Sequence, residues 1–300
     1  MQHIVDVFTE AYERLRLQLN IKKTKVLFQP APVAPEMADP VIRVHDDPLE
    51  CVTSFPYLGS HLASNTYIDS ELQHRISAAN CSFGKHRKRI YDSRDLSKET
   101  KLLAYKAFVL PVLLYSAETW TFYRRHITQL ERFQQRCLRT ILHIHWSERR
   151  TNISVLESAR LPSIETMIRK SQLQWAGHVV RMPDNWLPKQ LLFGQLTHGV
   201  RPASGPKLRF KDIIKHNIKA FGTTTNTWDQ AAMDRSKYRA FLHSGAMLAE
   251  ATRAEGVKEK HRRRKDRTSP EAGDPALMCP HCGRQFTAQI RLFAHLKWRQ

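Results

Sequence analysis

The sequence lacks the features that mark membrane, secreted and disulfide-stabilised proteins. Its longest apolar stretch, residues 102–117, is interrupted by Lys106 and Pro111 and falls short of the roughly 18 apolar residues that a membrane span needs. The N-terminus has no basic segment followed by an apolar one, so no secretory signal is expected. Five cysteines, three of them isolated, do not make a disulfide framework. We therefore expect a protein of a reducing compartment, nuclear or cytoplasmic, with no membrane partner.

Acidic residues are scarce relative to basic ones. Asp and Glu together number 28 against 48 Lys and Arg, which gives a formal net charge of +20 and a pI near 10.0. Such a balance favours a polyanionic partner, and RNA or DNA is the leading expectation. An anionic membrane surface and a merely solubilising charge remain the alternatives.

The spacing of apolar residues predicts a mainly α protein with a small β-hairpin near the N-terminus. Residues 5–19 form one apolar helical stripe. Short extended runs at 41–44 and 49–52, separated by the turn-prone sequence Asp46-Asp47-Pro48, predict the hairpin. Further helices are expected from residue 68, after a Ser97 cap with a break at Pro111, and over 127–142, 164–180 and 212–220.

The C-terminal residues predict a metal site. Cys279 and Cys282 form a Cys-x-x-Cys that is followed by Phe286, Leu292 and His295 in the register of a two-Cys, two-His zinc finger of ββα form. Zn²⁺ is the expected cofactor, because a unit this small needs metal binding to fold. A second histidine at the usual spacing is missing. The fourth ligand lies beyond residue 300, or water takes its place, or the finger is degenerate.

Five segments carry a resemblance to a polymerase family. Residues 17–26 (LQLNIKKTKV) are similar to a palm segment that follows a catalytic strand pair, and residues 52–60 (VTSFPYLGS) to a primer-grip hairpin. Residues 175–183 (WAGHVVRMP), 187–192 (LPKQLL) and 205–212 (GPKLRFKD) are similar to the region after a thumb. In this order, with a terminal finger, they resemble the C-terminal part of a non-LTR (LINE-type) retrotransposon endonuclease-reverse transcriptase.

The resemblance implies roles for residues in two of these segments. Lys23 and Thr24 would lie near an incoming nucleotide, although they are also an ordinary start to a strand. Phe55, Tyr57 and Gly59 would rest against a primer end, although such aromatics also serve as core residues.

A basic cluster precedes the helix expected at 212–220. Lys207, Arg209 and Lys211 surround Phe210, and basic side chains with an aromatic ring suit a single-stranded nucleic acid. A solvated helix start is the alternative.

The sequence also lacks the catalytic element of the family it resembles. No aromatic-Ala-Asp-Asp box precedes Lys23, and such paired carboxylates hold the two Mg²⁺ ions of polymerases. The only adjacent pair, Asp46-Asp47, is explained by a turn. We therefore expect no Mg²⁺ and no catalysis by this chain, only nucleic-acid binding. The alternatives are a piece of an active RNA-directed DNA polymerase whose catalytic part lies upstream, and a DNA-reading zinc-finger protein.

These expectations combine into five regions. They are a palm remnant with the primer-grip-like hairpin at 1–65, a helical thumb-like domain at 66–150, a helical post-thumb region at 151–248, a disordered basic linker at 249–276 and a zinc-finger-like unit at 277–300. The linker prediction rests on the loss of apolar periodicity and on the basic run at 258–267, which suits a nuclear import signal, a nonspecific nucleic-acid arm or a plain solvated segment.

Overall fold

The computed structural model of the chain describes residues 1–29, 39–194, 208–268, 277–286 and 289–297. The chain divides into two units, Met1–Ala249 and Glu250–Gln300. Most described residues are helical, so the expected mainly α class is confirmed. Over the described ranges, no helix combines the length and the apolar character needed to cross a membrane.

The first unit opens with helix α1 and six short strands. Their bounds are α1 (Gln2–Arg14), β1 (Lys25–Val26), β2 (Arg43–Val44), β3 (Asp47–Pro48), β4 (Glu50–Cys51), β5 (Ser54–Tyr57) and β6 (Ser60–Ala63). Strands β1 and β4 pair in parallel, whereas β2–β3 and β5–β6 are antiparallel hairpins. Ile42, Val44 and Leu49 are buried together and form a small core beside these strands.

The hairpin expected from residues 41–44 and 49–52 is present, since the Leu49 amide donates to the Ile42 carbonyl at 2.8 Å, but its turn lies earlier than expected. The turn contains only His45 and Asp46, and His45 adopts a left-handed φ of +54°. Val44 therefore pairs with Asp47, which places residues expected in the turn in strand β3. A proline is tolerated in β3 because the strand belongs to a two-stranded sheet and has a free edge. Strand β4 pairs with β1 instead.

A bundle of helices follows the hairpins. It contains α2 (Asp69–His86), α3 (Lys98–Phe108), α4 (Leu110–Leu113), α5 (Arg124–Ile141) and α6 (Asn152–Ala159). The Ser97 hydroxyl accepts a hydrogen bond from the Thr100 amide at 3.2 Å, so the expected cap of α3 is present. Pro111 lies in the first turn of α4, where its missing amide is harmless, and this explains the break between α3 and α4.

A π-helical turn, Arg87–Tyr91, extends α2. The Asp92 amide donates to the Arg87 carbonyl at 2.9 Å, which is a bond across five residues. The turn directs Tyr91 into the core, where its ring is fully buried and stacks on Phe83 with centroids 4.5 Å apart.

The remaining helices of the first unit build a second core. They are α7 (Ile164–Val180), α8 (Leu187–Phe193), α9 (Phe210–Ala220), α10 (Trp228–Met233) and the start of α11 (Arg235–Thr268). Helix α7 connects the two cores. Ile164 and Ile168 at its N-terminal end belong to the core of the bundle, whereas Leu173 and Ala176 pack with α9 and α11.

The disordered linker expected at 249–276 is wrong over 249–268, because helix α11 runs to Thr268. The segment lacks an apolar stripe, but it is rich in strong helix formers. Ion pairs at three- and four-residue spacing also stabilise it, since Arg262 and Arg263 both contact Glu259, at 2.8 and 2.7 Å. Residues 269–276 of the expected linker lie outside the described residues.

Candidate metal centre and nucleic-acid interface

The second unit contains the expected ββα arrangement. Strands β7 (Leu277–Met278) and β8 (Gln285–Phe286) pair in antiparallel fashion, and helix α12 (Gln289–Lys297) follows. Cys279 and Cys282 lie in the connection between the strands. The Gly283 amide donates to the Cys279 carbonyl at 2.9 Å, and Gly283 adopts a φ of +65° that side chains disfavour. A glycine therefore allows the cysteine knuckle to close.

Three potential metal ligands converge in this unit. The sulfurs of Cys279 and Cys282 and a ring nitrogen of His295 all lie within 4.8 Å of one another, and Cys282 Sγ is 3.2 Å from His295 Nε2. Phe286 packs beside the imidazole, with ring centroids 5.0 Å apart. Two thiols and an imidazole are the donors that tetrahedral zinc prefers, so these residues fit Zn²⁺. One coordination position remains for water or a further ligand.

Lys23 and Thr24 lie in a turn that leads into β1. Their amides donate to the Asn20 carbonyl at 3.0 and 2.9 Å, and the Thr24 hydroxyl donates to the same oxygen at 3.0 Å. The hydroxyl therefore has a structural role within the turn. The Lys23 side chain is exposed to solvent.

The primer-grip-like segment forms the hairpin β5–β6. Its two turn residues, Leu58 and Gly59, have φ values of +48° and +84°, as tight hairpin turns require. Phe55 pairs with Leu62 across the hairpin and is half-buried. Tyr57 is 56% exposed, so its ring is free for contact with another molecule. The three predicted residues thus share one hairpin.

A buried ion pair on α2 anchors this hairpin. Glu71 accepts from Arg75 Nε at 2.7 Å and from the His61 amide of β6 at 2.5 Å, and both charged residues are buried. The Arg75 guanidinium stacks over the Tyr115 ring at 4.7 Å, and the Tyr115 hydroxyl donates to the Leu58 carbonyl at 2.9 Å. These contacts hold the turn of the hairpin against the helical bundle. The sequence does not reveal these contacts, because a Glu-Arg pair at four-residue spacing usually lies on a helix surface.

The basic cluster near α9 is only partly available for binding. Arg209 makes a double hydrogen bond with Asp212, at 3.0 and 2.9 Å, which raises the pKa of the guanidinium and balances its charge. Lys211 donates to the Phe193 carbonyl at 3.4 Å. Phe210 is half-buried and packs against the second core. Lys207 lies outside the described residues.

A larger basic surface, which the sequence analysis missed, runs along α5. An open groove of about 780 Å³ has one acidic lining residue, Asp92, among the described residues, and its basic lining residues are Arg87, Arg132, Arg136, Arg139, His143 and His145. Five of these six lie on α5 or just beyond it, and Arg132, Arg136 and Arg139 follow a three-and-four spacing that places them on one helix face. That spacing was the signal available in the sequence.

Neutral side chains position the arginines of this groove. Arg136 donates to the amide oxygen of Asn80 at 3.0 Å, and Arg139 donates to that of Asn152 at 3.1 Å. Over the described part of the chain, neither arginine forms an ion pair, nor does Arg132. The guanidinium groups of Arg136 and Arg139 are therefore oriented but not neutralised, as a surface that receives an anion requires. Arg87, at the edge of the groove, forms an ion pair with Asp92 at 3.3 Å.

The residues predicted from the sequence thus lie on different elements. The structure brings the metal ligands together, and it brings Phe55, Tyr57 and Gly59 together. Lys23 and Thr24 belong to the turn before β1, whereas Arg209, Phe210 and Lys211 belong to the start of α9.

Comparison with known proteins gives one informative match. The chain is 25% identical over 241 residues to a transposon-derived protein of Caenorhabditis elegans, and the alignment covers 75% of this chain and 82% of that relative. No family model and no solved structure matches the sequence. The likeness fits a transposon-related origin for this mainly α protein with a small zinc-finger-like unit.

Proposed function

We propose that this chain is a noncatalytic nucleic-acid-binding protein derived from the C-terminal part of a LINE-type retrotransposon reverse transcriptase. The order of the five resembling segments supports this origin, as does the likeness to a transposon-derived protein. The proposed partners are RNA, DNA or their hybrid, held mainly through phosphates.

The groove along α5 is the observation that carries the binding proposal. Arg136 and Arg139 are held in place by amide oxygens and not by carboxylates, so their positive charge is available to a ligand, whereas Arg87 is paired with Asp92. Guanidinium groups form paired hydrogen bonds with phosphate oxygens, and neutralising phosphates releases counterions. A nucleic-acid backbone supplies phosphates in a row, which suits a row of arginines on one helix face.

The placement of the acidic residues supports the noncatalytic part of the proposal. Asp46 lies in the two-residue turn of the hairpin β2–β3, and Asp47 lies in strand β3. Among the described residues, the one group of three or more metal-binding side chains is Cys279, Cys282 and His295, a soft donor set that suits zinc and not Mg²⁺. We therefore assign no phosphoryl-transfer chemistry to this chain.

The zinc-finger-like unit has a structural part in the proposed function. Cys279, Cys282 and His295 would hold Zn²⁺, which supplies folding free energy to a unit with little apolar core. The residues of the chain position these ligands through the Gly283 turn and through Phe286 beside the imidazole.

Salt-dependent binding tests the proposal. Fluorescence anisotropy with labelled single-stranded RNA and DNA should show an affinity that falls steeply as salt rises, with a slope of about 0.7 for each phosphate contact. The double variant Arg132→Gln/Arg136→Gln should weaken binding and reduce the slope by about 1.4. Arg14→Gln, which removes an exposed charge from α1, should change the slope little.

Three outcomes would contradict the proposal. Binding that stays constant between low and physiological salt, or that Arg14→Gln weakens as much as the groove variant does, would remove the case for the groove. Incorporation of nucleotides onto a primed template by the purified chain alone would refute its noncatalytic character.

A further inference from the structure

A cavity of about 320 Å³ lies between α7 and α11, away from the residues of the α5 groove. Its polar lining residues are Gln174, His178, Arg181, Arg235, Tyr238 and Arg239. None of its described lining residues is acidic. Three arginines and a histidine therefore face one space with no carboxylate among them.

The two walls of the cavity are held together rigidly. A Cβ atom added at Gly177 of α7 would lie 2.3 Å from the Tyr238 ring of α11, so the two helices approach closely only because this residue is glycine. The Tyr238 hydroxyl donates to the Leu173 carbonyl at 2.8 Å. These contacts fix how Arg235 and Arg239 on α11 face Arg181 at the end of α7.

Arg181 is the least exposed of the three arginines. Its Nη1 donates to the Ala232 carbonyl at 2.6 Å, but its Nε is buried and has no hydrogen-bond partner. Burial, together with the charges of Arg235 and Arg239, lowers the pKa of its guanidinium. The bond to Ala232 satisfies one nitrogen of Arg181, but the charges of Arg181 and of the two further arginines have no acidic partner among the described lining residues. A bound anion would balance these charges and accept hydrogen bonds from the exposed guanidinium groups of Arg235 and Arg239.

Asp234, the acidic residue that directly precedes α11, does not balance this charge. Asp234 accepts hydrogen bonds from the amides of Ser236 and Lys237, and its carboxylate lies 3.5 Å from the Lys237 ammonium. It therefore caps the start of α11 and pairs with a lysine that does not line the cavity.

We propose that this cavity binds a phosphate group of a nucleic-acid strand, with Arg181 as the inner contact and with Arg235, Arg239 and His178 around it. Guanidinium groups match the geometry of phosphate oxygens, and convergent donors from two rigid helices favour one compact anion over a diffuse charge. The choice of nucleic acid as the source of the phosphate rests on the proposed function. The phosphate is either an internal phosphodiester or a strand-terminal phosphate.

Titration calorimetry on the full chain tests this inference with two probes, a short oligonucleotide carrying a 5′-phosphate and the same oligonucleotide without it. Arg235→Gln/Arg239→Gln should weaken binding of the phosphorylated probe by about tenfold or more, because two charge-assisted hydrogen bonds are lost. Both residues are exposed, so the fold should persist. Lys237→Gln, on the same helix, removes a charge that does not line the cavity and should change the affinity by less than about twofold.

The outcomes separate this inference from the proposed function. Equal affinity for the two probes assigns the cavity to an internal phosphodiester, and a preference for the phosphorylated probe assigns it to a strand end. If the double variant binds like the unmodified chain, or if Lys237→Gln weakens binding equally, the cavity is not a phosphate site. The salt dependence that Arg132 and Arg136 govern would remain in that case, so the proposed function would stand.

Discussion

Two Glu-Arg pairs of the same spacing show how burial changes the contribution of an ion pair to the free energy of unfolding within one chain. Glu71 and Arg75 on α2 have side chains 5% and 8% exposed, whereas Glu10 and Arg14 on α1 are 64% and 76% exposed. Removing Arg75 leaves the Glu71 carboxylate buried with the His61 amide as its remaining donor. Breaking a buried pair in this way costs about 3–5 kcal/mol, whereas an exposed pair contributes about 0.2–1 kcal/mol.

Arg75→Ala should therefore lower the free energy of unfolding by about 3–5 kcal/mol, and Arg14→Ala by less than about 1 kcal/mol. Urea unfolding followed by far-UV circular dichroism measures both values. The double variant Glu71→Gln/Arg75→Met should be more stable than Arg75→Ala alone, because it removes the uncompensated charge. Equal losses for Arg75→Ala and Arg14→Ala would refute the reasoning.

The substitution Arg75→Ala should also loosen the β5–β6 hairpin. Arg75 stacks on Tyr115, which bonds to the turn at Leu58. Amide hydrogen exchange in β5 and β6 should therefore accelerate in Arg75→Ala and stay unchanged in Arg14→Ala.

Three further predictions concern the metal unit, a helix contact and the thiols. Cys282→Ser should weaken Co²⁺ binding, seen in the visible absorption band, by more than the roughly 10–100-fold that loss of an outer-shell partner costs. Gly177→Ala should lower the free energy of unfolding in urea by about 1–3 kcal/mol, because its Cβ would collide with the Tyr238 ring. Burial raises the pKa of Cys137 to about 12, so Ellman's reagent should react at neutral pH with the exposed Cys81 and reach Cys137 only in urea.

Local signals predicted much of the helical structure. The Ser97 cap and Pro111 each determine hydrogen bonds within a few residues, and both act in the structure as the sequence predicts. The three metal ligands were identifiable because the register of a zinc finger is fixed by a short hairpin and one helix.

Features that depend on pairing across the chain were not predictable in the same way. The partner of strand β4 is β1, about 25 residues earlier, and no local pattern specifies it. The burial of Glu71 and Arg75 depends on β6 covering α2. Helix α11 continues past residue 249 without an apolar face, because helix propensity and ion pairs such as Arg263–Glu259 stabilise it.

The π-helical turn after α2 makes the position of the Tyr91 ring depend on the number of residues in this turn. Deleting one residue between Arg87 and Tyr91 would convert the π-helical turn into an α-helical turn and shorten the segment by about 1.5 Å. Tyr91 would be drawn away from its stack on Phe83, whereas Arg87, which precedes the deletion, would keep its place in the α5 groove. Substitutions at the exposed positions of this turn should be tolerated in related sequences, whereas a gap of one residue should be rare.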